Sequence, residues 1–352
     1  MKNLKIFIVL SLAGIFWTGC GRKEKPPSYP PYNPTPYELT LPFKFPEFEI
    51  PPGSELTEEG IALGRELFYD PILSVDSTLA CAGCHKAQEG FSDSNFRSEG
   101  VGGTLGKRQA MPVMNLAWGE KFFWDGRANS IAHQVLFPVE DPLEMKSDWT
   151  NIEDRLNLHK DYPAKFYAAF GTDKITKELV GKAIAQFERT MISGNSKHDA
   201  VLENLAFFTP SEQRGFELFN TEEADCFHCH GGALFTDNLF HNNGLDSVYT
   251  DIGLAGVTGR GVDTGYFKTP SLRNLIFTAP YMHDGRFKTL EEVVDHYSEG
   301  LINSPYIDPL MLFANEGGVH LSEQQKRDLV AYLKTLTDTS FINNPAFQNP
   351  FK

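Results

Sequence analysis

The sequence predicts an all-α fold built as two tandem units, and three observations carry that prediction. The pattern Cys-x-x-Cys-His occurs twice, as Cys81-Ala-Gly-Cys84-His85 and Cys226-Phe-His-Cys229-His230. Each copy stands behind a related stretch, Leu63-Gly64-Arg65-Glu66-Leu67-Phe68 and Arg214-Gly215-Phe216-Glu217-Leu218-Phe219. Each is followed later by apolar residues at helical spacing: Leu179, Ala183, Ile184 and Phe187, then Leu329, Tyr332, Leu333 and Leu336. Cys-x-x-Cys-His is the attachment signature of a c-type haem. The two thiols add across the porphyrin vinyl groups and the adjoining His is placed beneath the iron. A thioredoxin-like pair does not require that His, and a zinc site wants four converging ligands. Two complete copies behind apolar helices weigh against a disulfide as well. A helix before the motif and one after it, crossing over the haem, is the cytochrome c plan. Two cytochrome c-like haem domains with long Gly-rich and Pro-rich loops are therefore expected, carrying two covalent haem c groups.

Taken in order, residues 1–20 read as a signal peptide of lipoprotein type. Lys2 and Lys5 precede an apolar run, Ile6 to Trp17, too short to span a bilayer. Of five cysteines, four belong to the haem motifs. The fifth, Cys20 in Trp17-Thr18-Gly19-Cys20, stands where a lipid would be attached. This predicts an exported chain, anchored to the membrane on the periplasmic side. Residues 21–52 are crowded with proline and read as a semi-rigid tether. The first haem domain is expected at 53–205, the second at 206–340 and a C-terminal tail at 341–352. Thr57 with Glu58 and Glu59 opens the first domain's leading helix, and Thr209-Pro210-Ser211-Glu212 opens the second's by the same grammar. The net charge of −14 offers no basic stripe for phosphates, which excludes nucleic-acid binding.

The segments between and after the haem motifs carry further residues with chemistry. They read Phe123-Trp124-Asp125-Gly126-Arg127, then Gln134 and Glu144, then Thr269-Pro270-Ser271-Leu272-Arg273-Asn274, Tyr281-Met282-His283-Asp284-Gly285 and Asp295-His296-Tyr297. With these motifs the chain, from about Gly53 to Leu336, resembles the bacterial di-haem cytochrome c peroxidases and their MauG-type relatives. The resemblance implies a peroxidatic haem on His85 and an electron-transfer haem on His230. It also implies that Trp124 relays electrons between them, and that Gln134 and Glu144 form the distal pocket of the first haem. A carboxylate there can shift a proton between the oxygens of a bound peroxide. Calcium between the haems is implied too, held by Gln109 in place of the usual Asn and by backbone carbonyls of Thr278 and Pro280. Asp125 and Arg127 are expected to anchor the Trp124 loop, and Arg273 and Asn274 to support the second haem's propionates or the backbone.

Two departures from the peroxidase pattern stand out. The loop Phe96–Lys107 contains no His to cap the resting first iron; Val101 stands near that place, and His133 is the nearest spare imidazole. The second haem's distal position, Met in the peroxidases, is occupied by Tyr297, as in the MauG type, with Met282 as a rival ligand. Three functions follow. The first is a peroxidase reducing hydrogen peroxide to water with electrons from a small cytochrome c or cupredoxin. The second is a MauG-type oxidase that uses peroxide to oxidise a protein or organic substrate. The third is a di-haem electron carrier without turnover. A homodimer is compatible with any of them.

Overall fold

The computed structural model describes residues 29–352. The signal-like run, Cys20 and the first part of the proline-rich segment lie outside them. Among the described residues, seven helices have nine or more residues. They are α1 (Glu58–Tyr69), α2 (Trp149–Asn157), α3 (Tyr162–Phe170), α4 (Lys177–Thr190), α5 (Pro210–Phe219), α6 (Leu290–Glu299) and α7 (Glu323–Lys334). Shorter helices and 3-10 turns fill the connections, and the one sheet among the described residues pairs β1 (Phe240–His241) with β2 (Phe267–Lys268), antiparallel.

The helix starts are set by side chains that satisfy otherwise orphaned backbone N–H groups. Thr57 accepts from Gly60 N at the head of α1. Thr209, Thr289 and Ser322 each form a reciprocal capping box with Glu212, Glu292 and Gln325. Two apolar cores result. The first gathers Leu63, Leu67 and Phe68 of α1, Ala183, Ile184 and Phe187 of α4, and Ile152 and Phe166 from α2 and α3. The second joins Leu218 and Phe219 of α5 to Leu329, Tyr332 and Leu333 of α7, with Leu336 just beyond.

Glycine sets the closeness of both main helix crossings. A Cβ on Gly64 would lie 1.9 Å from the Ala183 carbonyl oxygen, and one on Gly215 would lie 1.9 Å from that of Asp328. These two glycines hold the same place in the two related sequence stretches. The repetition continues through loops where the sequence shows little likeness. Phe91 and Phe235 both take left-handed φ (58° and 53°), as do Asn115 and Asn274 (54° and 62°) and Phe123 and Met282 (67° and 74°). Each of the last pair sits in a tight turn closed by an isolated bridge, Phe122 to Ala128 and Tyr281 to Phe287.

The two ends of the described chain are packed. From Tyr32 on, the proline-rich stretch expected as a tether lies against the body. Tyr37 N donates to Leu56 O at 2.9 Å, and Trp118 Nε1 donates to Pro46 O at 2.8 Å between the rings of Phe45 and Phe48. At the other end, Phe341, Ile342 and Phe347 belong to the first core rather than forming a loose tail. Arg65 donates to the Pro345 and Gln348 carbonyls, and Tyr69 to that of Phe347. Asp338 ties this segment down by accepting from Ser193 Oγ and from the backbone of Gly194, Asn195, Ser340 and Phe341.

Candidate active site

Each haem motif forms one tight turn, Cys81–Cys84 and Phe227–His230 with Cys226 at its head, so both thiols emerge from a single turn. All four cysteines are free of disulfides. Burial raises the Cys81 thiol strongly, Cys84 to about 11 and Cys226 to about 12. These three are therefore not the thiolates on which a zinc site or a reactive redox pair relies. Each motif histidine is oriented through Nδ1, His85 by the Phe91 carbonyl and His230 by the Phe235 carbonyl, both at 3.1 Å. Those carbonyls belong to the paired left-handed phenylalanines. A histidine held by Nδ1 presents Nε2, the atom a proximal iron ligand uses. Beside His230 opens an apolar cleft of about 1640 Å³, counted out to its mouth, lined by Cys226, Cys229, Leu272, Leu290, Val294, Leu329 and Leu333. Paired thiols, oriented histidines and an apolar cleft fit covalent haem.

Trp124 is buried on the edge of that cleft; its Nε1 donates to Gln109 O at 2.9 Å. The loop around it is fixed by charge. Asp125 pairs with Arg108 (2.6 Å) and Arg127 (3.0 Å), Arg108 reaches on to Asp251, and the Arg127 guanidinium lies over the Phe123 ring. Gln109, Thr278 and Pro280 all border the same cleft. The Gln109 amide nitrogen is already committed to Ser92 Oγ and the Asp93 carbonyl.

On the first haem's side, Glu144 lies near enough to Cys81 and Cys84 for their charges to interact. Burial, then Asp141, raise its carboxyl to about 7, with Arg127 opposing. Its backbone carbonyl accepts from Val101 N at 2.9 Å, so the His-free loop is stitched to the acid. Val101 itself is buried. Gln134 is half-buried at the end of the short helix Ile131–Gln134, and its side chain makes no hydrogen bond among the described residues. His133 leans on Phe137, and its Nδ1 accepts from Asn129 N.

In the second cleft the two rival ligands stand together. Asn243 Nδ2 donates to Tyr297 Oη at 3.0 Å and lies 3.6 Å from Met282 Sδ. Burial pushes the Tyr297 phenol up to about 12, against the Asn243 hydrogen bond, so it keeps its proton until a cation claims its oxygen. Arg273 supports the backbone, the second of the two roles expected of it. Only 1 % exposed, it grips Asp199 with two bonds of 2.8 Å and donates to the Ala233 carbonyl. Asn274 likewise serves the frame, donating to Ser193 Oγ and accepting from Asp338 N. Three groups, Glu188 and Lys268 buried and His241 half-buried, carry no sequence signal of their role. His241 is clasped at both nitrogens by Asp237 and Asp308, whose carboxylates overcome burial and raise it to about 12. Glu188 on α4 sits beside Cys81, and Lys268 on β2 borders the cleft. Only their surroundings in the fold mark them.

The comparisons agree with this geometry. The profile of a family described as di-haem cytochrome c peroxidase matches residues 58–206. The chain is 39% identical over 290 residues to a methylamine utilization protein MauG of Methylorubrum extorquens, spanning 81% of this chain and 80% of that one. It is 31% identical over 293 residues to a cytochrome c551 peroxidase of Nitrosomonas europaea, spanning 82% and 81%. The crystal structure of a MauG-like protein associated with microbial copper homeostasis superposes with a TM-score of 0.83 at 35% identity, covering 90% of this chain and all of that one. Fold and site thus define a two-haem redox enzyme of peroxidase type. The chain belongs to the di-haem cytochrome c peroxidase and MauG family.

Proposed function

We propose that this enzyme consumes hydrogen peroxide in the half that bears His85, and that Tyr297 together with His230 would hold the iron of the second haem, as in the MauG type. The observation that carries the reading is the half-buried Tyr297 phenol, lining the cleft of His230 with Asn243 donating to its oxygen. Bound haem supplies the redox chemistry that peroxide cleavage needs. The chain's own residues do the rest. Glu144 would hold and move a proton for peroxide, accepting it from one oxygen and returning it to the oxygen that leaves as water, for which a pKa near neutrality suits it. Gln134 offers an amide to the same pocket. Trp124 stands on the route between the two centres, and Asn243 steadies the phenolate form of Tyr297. Electrons then come from a protein or organic substrate.

Met282 supports the second reading, a plain cytochrome c peroxidase fed by a small cytochrome c or cupredoxin, because its sulfur shares Asn243 with Tyr297. Ferric EPR of Tyr297→Phe and Met282→Leu separates the two. Tyr297→Phe should abolish or replace the low-spin signal of the second haem while Met282→Leu leaves it alone; the reverse pattern establishes the peroxidase reading.

The remaining parts of the proposal are finer. The two halves, 53–205 and 206–340, act as cytochrome c-like haem domains. A calcium ion between them would use Gln109 Oε1 and the Thr278 and Pro280 carbonyls. Export to the periplasmic side, with a lipid on Cys20, places the enzyme where haem c is attached. Among the described residues no helix is long and apolar enough to cross a membrane. A homodimer is compatible with this reading.

A further inference from the structure

Haem brings two propionate carboxylates, and in a low-dielectric cleft each needs a cation or strong donors. The basic side chains lining the second cleft are few. His241 has both nitrogens taken by Asp237 and Asp308. His283 lies flat on Phe267, ring centroids 3.6 Å apart, and burial lowers its pKa. Arg273, outside the cleft lining, is engaged with Asp199. Lys268 is the one Lys or Arg among the cleft-lining residues, and it also borders the smaller hollow beside Met111 and Asn115.

Lys268 is placed as a fixed charge with an open valence. It is 8 % exposed and takes part in no ion pair among the described residues. Its Nζ donates to Asn238 Oδ1 at 2.7 Å and to Asn238 O at 3.2 Å, both uncharged, which leaves its third hydrogen free. Burial drives its pKa down to about 8, against the more distant Asp237 and Glu120. A buried ammonium on a cleft wall with one hydrogen uncommitted is suited to pair with a carboxylate beside it. Its backbone adds a second connection, because Lys268 N donates to the Trp124 carbonyl at 2.8 Å.

We propose that Lys268 is the positioning residue of the second haem: its ammonium pairs with a propionate carboxylate, and the same residue's backbone ties that charge to the Trp124 loop. The inference rests on the second haem being present, and holds whichever of Tyr297 and Met282 binds its iron. A cation beside a haem favours the reduced state, which carries one positive charge fewer, so Lys268 raises the second haem's potential.

The test is an optically monitored redox titration of the holoenzyme, with the first haem as internal reference. Lys268→Met should lower the midpoint of the second haem, leave the first in place and keep two covalent haems per chain. Lys268→Arg should restore most of the loss. If Lys268→Met does not mature, Lys268→Gln takes its place and is read in the same way. Asn238→Ala removes the lysine's side-chain amide partner but keeps its charge, so it should leave the midpoint where it is. An unchanged midpoint in the methionine or glutamine variant overturns the proposal. So does an equal shift of both haems, or a fall in Asn238→Ala as large as in Lys268→Met. None of these outcomes depends on the Tyr297 spectra.

Discussion

A carboxyl group that ionises near neutrality can both accept and return a proton, and Glu144, held near pKa 7 by burial and Asp141, is such a group. Glu144→Gln should slow peroxide turnover by about 100-fold or more while keeping both haems. In the wild type the rate should fall as pH drops through about 7, because the protonated acid cannot take the first proton. A pH–rate profile of the variant that keeps this limb would remove Glu144 from the role. Glu188 makes a different prediction. Burial raises it to about 8, with Arg189 opposing, and neither Glu188 Oε2 nor Arg189 Nη1 has a partner among the described residues. Its folded pKa lies above the ordinary carboxylate range, so the fold favours the neutral form. Stability is then lost as pH rises from that range towards about 8. Glu188→Gln should flatten this loss, by an amount on the order of a few kcal/mol at alkaline pH, read from thermal midpoints across pH. The motif residues were legible in the sequence because haem attachment fixes residue type and spacing. Glu188, Lys268 and His241 were not, since a lone acid or base declares itself only through what buries it. Arg273 shows the converse. The sequence left it between propionates and backbone, and the fold shows it on the Ala233 carbonyl with Asp199 as its charge partner.

At the scale of elements, the crossings of α1 with α4 and of α5 with α7 depend on backbone contact at one glycine each. Gly64→Ala and Gly215→Ala should each destabilise by roughly 1–3 kcal/mol or more, since the added carbon meets a carbonyl oxygen rather than a flexible side chain. Thermal unfolding measures it, and an unchanged midpoint would show that the helices can part cheaply. The helices themselves were legible. Thr57 and Thr209 cap where the sequence places them, and all but Leu179 of the apolar residues named at helical spacing in α4 and α7 and at Leu336 are buried. The repeated left-handed positions were hidden because Phe91, Phe235, Phe123 and Met282 do not advertise positive φ as glycine does. Recognised in the structure, they place Met282 as the counterpart of Phe123. That gives it a reason to be where it is even if it never touches iron.

For the molecule as a whole, the surprises lie at its ends. Proline content suggests a semi-rigid tether, but Tyr37, Pro46 and their neighbours find backbone and aromatic partners on the body, which composition cannot reveal. The last residues matter more. Phe341 and Phe347 pack edge-on against Phe91, with ring centroids 5.3 and 6.4 Å away, and the Phe91 carbonyl orients His85. Removing residues 341–352 should therefore disturb the ferric EPR signal of the first haem and leave that of the second. Equal disturbance of both would show a global loosening instead. The aim of an imidazole near one end of the described chain thus hangs on rings near the other: whatever loosens Phe341 or Phe347 reaches His85 through a single carbonyl.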